Sequence, residues 1–98
     1  MIVFDDGAVC DLERIFEFQL ARDPAGAVRQ IDRIRGAIEL LARHPQIGRR
    51  AQRRSTLREL VISRGENGYI ALYEYSPVTG LIRVVAIRHQ WEVGYRDR

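Results

Sequence analysis

No lysine occurs among these 98 residues, so the side-chain cations are arginines, with two histidines beside them. Guanidinium is the better fork for phosphate and carboxylate, and here it carries the chain's whole positive balance. The single cysteine, Cys10, excludes an internal disulfide. On a predicted helix it is expected as a small buried apolar residue, and a reducing cytoplasm is the simplest setting. The strongest apolar run, Leu81–Ile87, is interrupted by Arg83, far short of the roughly 20 apolar residues a membrane span needs. The opening MIVFDD lacks the basic and apolar regions of a secretory signal. No membrane role is expected.

Other absences narrow the chemistry. One cysteine and two histidines far apart in sequence make a metal site improbable. There is no GxxxxGK[ST] loop, and GENG falls between two predicted strands without the helix that a phosphate cradle requires. Ser55, Ser63 and Ser76 have no nucleophile signature around them. No cofactor is expected.

What is present suits one compact domain over residues 1–98, with 46% apolar and 30% charged residues. The net charge of +3 hides an asymmetry. Residues 1–42 carry eight acids and five arginines, 43–58 carry six arginines and no acid, and 59–98 balance five against five. The basic segment could grip nucleic acid or an acidic partner. Arg49, Arg50, Arg53 and Arg54 lack the interleaved aromatics of a groove that stacks single strands, and the bland alternative is a solvated, solubilising loop.

Residues 2–4 (IVF) read as a brief strand. Val9, Leu12, Ile15 or Phe16, and Gln19 or Leu20 then recur at helical steps, which predicts a helix over about 7–21 capped by Asp6. Asp23-Pro24 restarts a helix with Asp at the N-cap and Pro at the first helical position. Val28, Ile31, Ile34, Ile38 and Leu41 carry that helix to about Arg43, where His44-Pro45 stops it. The two helices form a hairpin. Leu57–Arg64, Tyr69–Tyr75 and Leu81–His89 alternate as strands between the turn sequences 65–68 and 76–80. The expected fold class is α+β, in the order β-α-α-β-β-β, with the hairpin packed on a mainly antiparallel sheet of three to four strands. Pro45–Thr56 is left as a long loop of the kind that tends to be functional or mobile.

The candidate chemistry gathers near strand ends. Arg58, Arg83, Arg88, His89 and Tyr95 could do acid/base and electrostatic work, and a concave meander would bring Arg58 and His89 together around a phosphate. Cleavage through a 2′-hydroxyl would use His89 as acid or base, Tyr95 as acid and the arginines as stabilisers. The simpler alternative has Arg58 and Arg88 paired with acids such as Glu59 or Glu92, and His89 ending a strand in a satisfied hydrogen bond. The segment IRHQWEVGY reads as a strand end plus a contacting tail, with Trp91 and Tyr95 as interface anchors. Trp91 could equally fold back over the sheet.

The stretches "DLERIFEF", "ARDPAGAVRQIDRIRGAIELLARHPQIGRR", "LRELVI", "GYIALYEY" and "VVAIRHQWEVGY" together resemble the RelE/ParE superfamily of type II toxin–antitoxin toxins, with the ParE-like branch nearer. The most specific part is "HPQIGR" followed by "LRELVI" and by a strand ending in "RH". The resemblance implies a small α/β toxin neutralised by a cognate antitoxin, acidic and ParD-like, and contacting operator DNA only through that antitoxin. ParE-like members inhibit DNA gyrase, whereas RelE-like members cut messenger RNA on the ribosome. By the same resemblance Arg58 matches a phosphate-contacting arginine of the nucleases, and His89 and Tyr95 fall where their C-terminal catalytic groups cluster. Arg49, Arg50, Arg53, Arg54, Arg58, Arg83, Trp91 and Tyr95 are the expected target- or antitoxin-binding residues. Arg58, Arg88, His89 and Tyr95 are catalytic only if the chain is a nuclease. The missing lysines and loop acid shift weight toward a binding poison. A non-toxic member serving an autoregulatory complex is the remaining alternative.

Overall fold

The computed structural model describes residues 1–63, 68–92 and 94–95. The chain runs β1 (Ile2–Phe4), α1 (Asp6–Arg22), α2 (Pro24–Glu39), a 3-10 turn (Leu40–Ala42), β2 (Arg49–Arg50), β3 (Leu57–Ile62), β4 (Tyr69–Tyr75) and β5 (Ile82–His89). The five strands form one sheet in the order β1-β5-β4-β3-β2. β1 lies parallel to β5, and the other neighbours are antiparallel. The expected α+β hairpin-on-sheet architecture is therefore present, with one strand more than expected. The extra strand, β2, is a two-residue pairing inside the segment read as loop.

Asp23 caps α2, its Oδ1 accepting from the Gly26 amide at 3.1 Å. Pro24 sits where a missing N–H costs nothing. At the start of α1 the cap position is Asp5 rather than Asp6, and no side chain bonds the first amides. The α-helical part of the second element ends at Glu39 and tightens into a 3-10 turn before Pro45. Ser63 closes β3 at a φ of 54°. Arg64 and the Gly65–Asn67 part of the expected turn lie outside the described residues.

Strand alternation divides the sheet. Tyr69, Ala71 and Tyr73 of β4, Ile62 of β3 and Ile82, Val84 and Ile87 of β5 pack with Ala8, Ile15, Ile34, Ile38 and Leu41 of the helical layer. Register places Arg58 opposite Tyr73 and His89 opposite Tyr69, on this helix-facing side. The other side carries Glu59, Val61, Ile70, Leu72, Glu74, Arg83, Ala86 and Arg88. A register shift between Leu72 and Tyr73, opposite β5 residues 84–86, keeps both halves of β5 facing correctly.

Polar groups also fix α1 to the sheet. Asp11, 2% exposed, accepts from the Ile87 amide at 2.8 Å, just past the end of the β1–β5 pairing. A carboxylate there satisfies a strand donor that would otherwise be buried without a partner. Gln19 is buried and donates to the Tyr69 hydroxyl at 3.0 Å. Its neighbour Leu20 is exposed, so the amide occupies the core-facing position. Cys10 and Val28 are exposed as well, contrary to the expected burial, because each falls on the flank of its helix away from the stripe.

Candidate functional site

On the sheet face away from the helices, one row of side chains spans three strands and the tail. Arg49 Nε of β2 lies 3.4 Å from Glu59 Oε1 of β3. Glu59 Oε2 accepts from the Tyr95 hydroxyl at 2.6 Å. The Arg88 guanidinium of β5 sits 5.1 Å from the centre of the Tyr95 ring, a cation–π contact. Ile70 and Leu72 lie in register with Arg88 and near Glu59 respectively, and both are buried although no helix covers that face.

The turn after β5 brings Tyr95 back. Arg88 Nη1 donates to the Glu92 carbonyl at 2.7 Å, and the Trp91 amide donates to His89 Nδ1 at 3.1 Å. Glu92 Oε1 accepts from the His89 amide and from Arg14 of α1, each at 3.1 Å. The tail is thus laced to both the last strand and the first helix. Trp91 stays 71% exposed, so its ring does not fold back over the sheet.

Arg58 and His89 do not share this row, nor do they meet each other. Along β4 their partners Tyr73 and Tyr69 are four residues apart, roughly 13 Å at strand rise. Arg58 donates through Nη1 to the Gly48 carbonyl at 2.8 Å and the Gln46 carbonyl at 3.3 Å. The Tyr73 hydroxyl completes the clamp, donating to the Pro45 carbonyl and accepting from the Gly48 amide, both at 2.9 Å. Gly48 fits because a Cβ there would come within 2.7 Å of the Tyr73 ring. The pairing of "HPQIG" with "LRELVI" is therefore a loop clamp. His89 packs its ring edge-on to Tyr69 at 5.4 Å and accepts the Trp91 amide, the satisfied strand-end arrangement.

The remaining expected residues divide. Arg83 is held between Asp5 and Glu74. Arg50, Arg53 and Arg54 are exposed on β2 and the following turn, with no hydrogen bond or ion pair to their side chains among the described residues. Glu59 belongs to the row; the sequence offers it only as an ion-pair partner for Arg58 or Arg88, and it is held instead by Arg49 and Tyr95. The signal was present: an acid midway along an apolar strand, on the face opposite Arg58 and Leu60.

The chemistry of the row is set by Tyr95. Burial, and then the Glu59 carboxylate beside it, push its phenol well above the ordinary tyrosine value, against the opposing pull of Arg88. It stays protonated and donates to Glu59. Among the described residues no group of three or more histidines, cysteines or carboxylates could hold a metal ion, and no helix is long and apolar enough to cross a membrane.

Comparison with known proteins agrees with this architecture. The family model described as ParE toxin of type II toxin-antitoxin system, parDE, matches residues 2–94. The chain is 37% identical over 82 residues to Toxin RelE3 of Caulobacter vibrioides, covering 84% of this chain and 85% of that protein. Among solved structures, a chain of the chromosomal ParDE toxin–antitoxin system from P. aeruginosa superposes with a TM-score of 0.74 at 18% identity, over 90% of this chain and 92% of that one. A chain of the RelBE2 toxin–antitoxin complex from Mycobacterium tuberculosis gives a TM-score of 0.58 at 20% identity, over 92% of this chain and 96% of that one.

Proposed function

The chain belongs to the ParE toxin family of type II toxin–antitoxin systems, and from that premise we propose that it arrests growth by binding DNA gyrase, cutting no nucleic acid itself. A cognate acidic, ParD-like antitoxin would neutralise it and would supply the sequence-specific recognition of operator DNA. The site of action in this reading is the cytoplasm. The observation that carries the non-cleaving part is the separation of Arg58 from His89, with Arg58 occupied by loop carbonyls. A general acid, a base and a phosphate cation need one reacting centre in common.

The test is a supercoiling assay with purified toxin and gyrase. Loss of supercoiling as toxin is added, restored by the antitoxin, supports the proposal; unchanged supercoiling at a large excess of toxin counts against it. The Arg88–Tyr95 contact favours a second reading, a ribosome-dependent endoribonuclease using that pair. In that case RNA ends, rather than DNA topology, would respond to the toxin.

A further inference from the structure

The segment from Arg43 to Arg58 holds six arginines and no acid. Elsewhere Arg14 reaches Glu92, Arg83 reaches Asp5 and Glu74, and Arg22 lies over Phe18. Among the described residues, Arg49 alone in the basic segment finds a carboxylate, Glu59. Arg50, Arg53 and Arg54 project from the sheet edge without an acceptor among the described residues.

Register makes the excess charge more costly. Arg50 stands directly opposite Arg58 in the β2–β3 pair, and like charges in that position destabilise a sheet. Arg58 gives its donors to carbonyls, with no carboxylate paired to it among the described residues. The turn that follows, closed by the Ser55 amide on the Gln52 carbonyl at 3.1 Å, lifts Arg53 and Arg54 to its tip.

We propose that Arg50, Arg53 and Arg54 bind the sugar–phosphate backbone of duplex nucleic acid directly, without base readout. Guanidinium forks match phosphate oxygens. No phenylalanine, tyrosine or tryptophan lies between Arg43 and Arg58, so apart from His44 the segment offers no platform for stacking unpaired bases. Residues 49–54 present no apolar side chain larger than that of Ala51, and a two-residue edge strand gives little ladder to an incoming peptide. What remains is backbone electrostatics, which favours a regular array of phosphates. This does not depend on the gyrase reading, since duplex alone is the ligand.

The test is fluorescence anisotropy with a short labelled DNA duplex and an RNA duplex of the same sequence, titrated with the intact toxin over a range of salt. Poly-glutamate serves as competitor. Three phosphate contacts should give a log–log salt slope near about −2.7 on DNA. R50Q/R53Q/R54Q should lose at least about tenfold in affinity at low salt and most of that slope. Arg35→Gln, an exposed change of one charge on α2, should lose far less, and equal thermal melting would show that the triple variant is folded. Binding to both duplexes identifies the shared backbone, and preference for one identifies its form; either supports the proposal. No duplex binding at low salt, unchanged binding by the triple variant, or displacement by poly-glutamate at charge concentrations equal to those of duplex would overturn it. Each of these outcomes leaves the supercoiling result free to go either way.

Discussion

The Tyr95 hydroxyl donates to Glu59 Oε2 at 2.6 Å across 36 positions of sequence, joining the tail to the centre of β3. Tyr95→Phe keeps the ring over Arg88 and removes this bond together with the hydroxyl's interaction with the Arg88 guanidinium. The expected cost is about 1 kcal/mol, read from chemical denaturation. Because the folded chain holds this phenol above its ordinary value of 10.0, the associated stability is complete below about pH 10 and is lost as the pH rises beyond it. Tyrosinate absorbance in an alkaline titration should therefore show a late-ionising component that Tyr95→Phe abolishes. An unchanged late component in the variant would assign it to another residue, with Tyr73, also shifted upward by burial, the next to examine.

Loop geometry gives a second expectation. Arg58→Ala should destabilise the chain by about 1–2 kcal/mol by freeing the Gln46 and Gly48 carbonyls. Tyr73→Phe should cost a similar amount through the Gly48 amide and Pro45 carbonyl. Since both hold one loop, the double variant should lose less than the sum. Additive losses in a denaturation cycle would show that the two contacts act independently.

Asp11 is the third test. It is buried, and its bond to the Ile87 amide fixes α1 across β5. Asp11→Ala should cost about 2–3 kcal/mol, since it leaves a strand donor without a partner, and hydrogen exchange at the Ile87 amide should accelerate. Protection at Ile87 equal to that of the parent would remove this role.

Association with the antitoxin should be steered by the basic edge. The on-rate should fall as salt is added, and more steeply for the parent than for R50Q/R53Q/R54Q. A rate that ignores ionic strength would remove the electrostatic part of the proposal.

The fold is legible in the sequence where a local rule determines the outcome. Asp23-Pro24 marked a helix start, and the Ile34–Ile38–Leu41 spacing marked the buried stripe. The hairpin on a sheet followed from two periods, one helical and one of two residues. What escaped depended on partners distant in sequence. β2 is defined by pairing with β3, Arg49 opposite Glu59 and Arg50 opposite Arg58, and two arginines carry no strand signal of their own. Gln19 won burial over Leu20 through Tyr69, 50 residues away. In the site, Tyr95 and Arg88 are each candidates from the sequence, but their contact is a product of the fold that spacing does not specify. Arg58 and His89 were expected together because both lie at strand ends. Antiparallel pairing places the start of β3 and the end of β5 at opposite ends of β4, a fact of register that composition does not carry.

The separation of Arg58 and His89 has one direct consequence in the cell. Transcript 5′ ends should be mapped genome-wide after the toxin is induced in the absence of its antitoxin, in cells whose growth has stopped. A binding poison should leave no new ends at translated codons. New ends concentrated within codons, lost in Tyr95→Phe and Arg88→Gln, would contradict the account and place cleavage at the Arg88–Tyr95 pair.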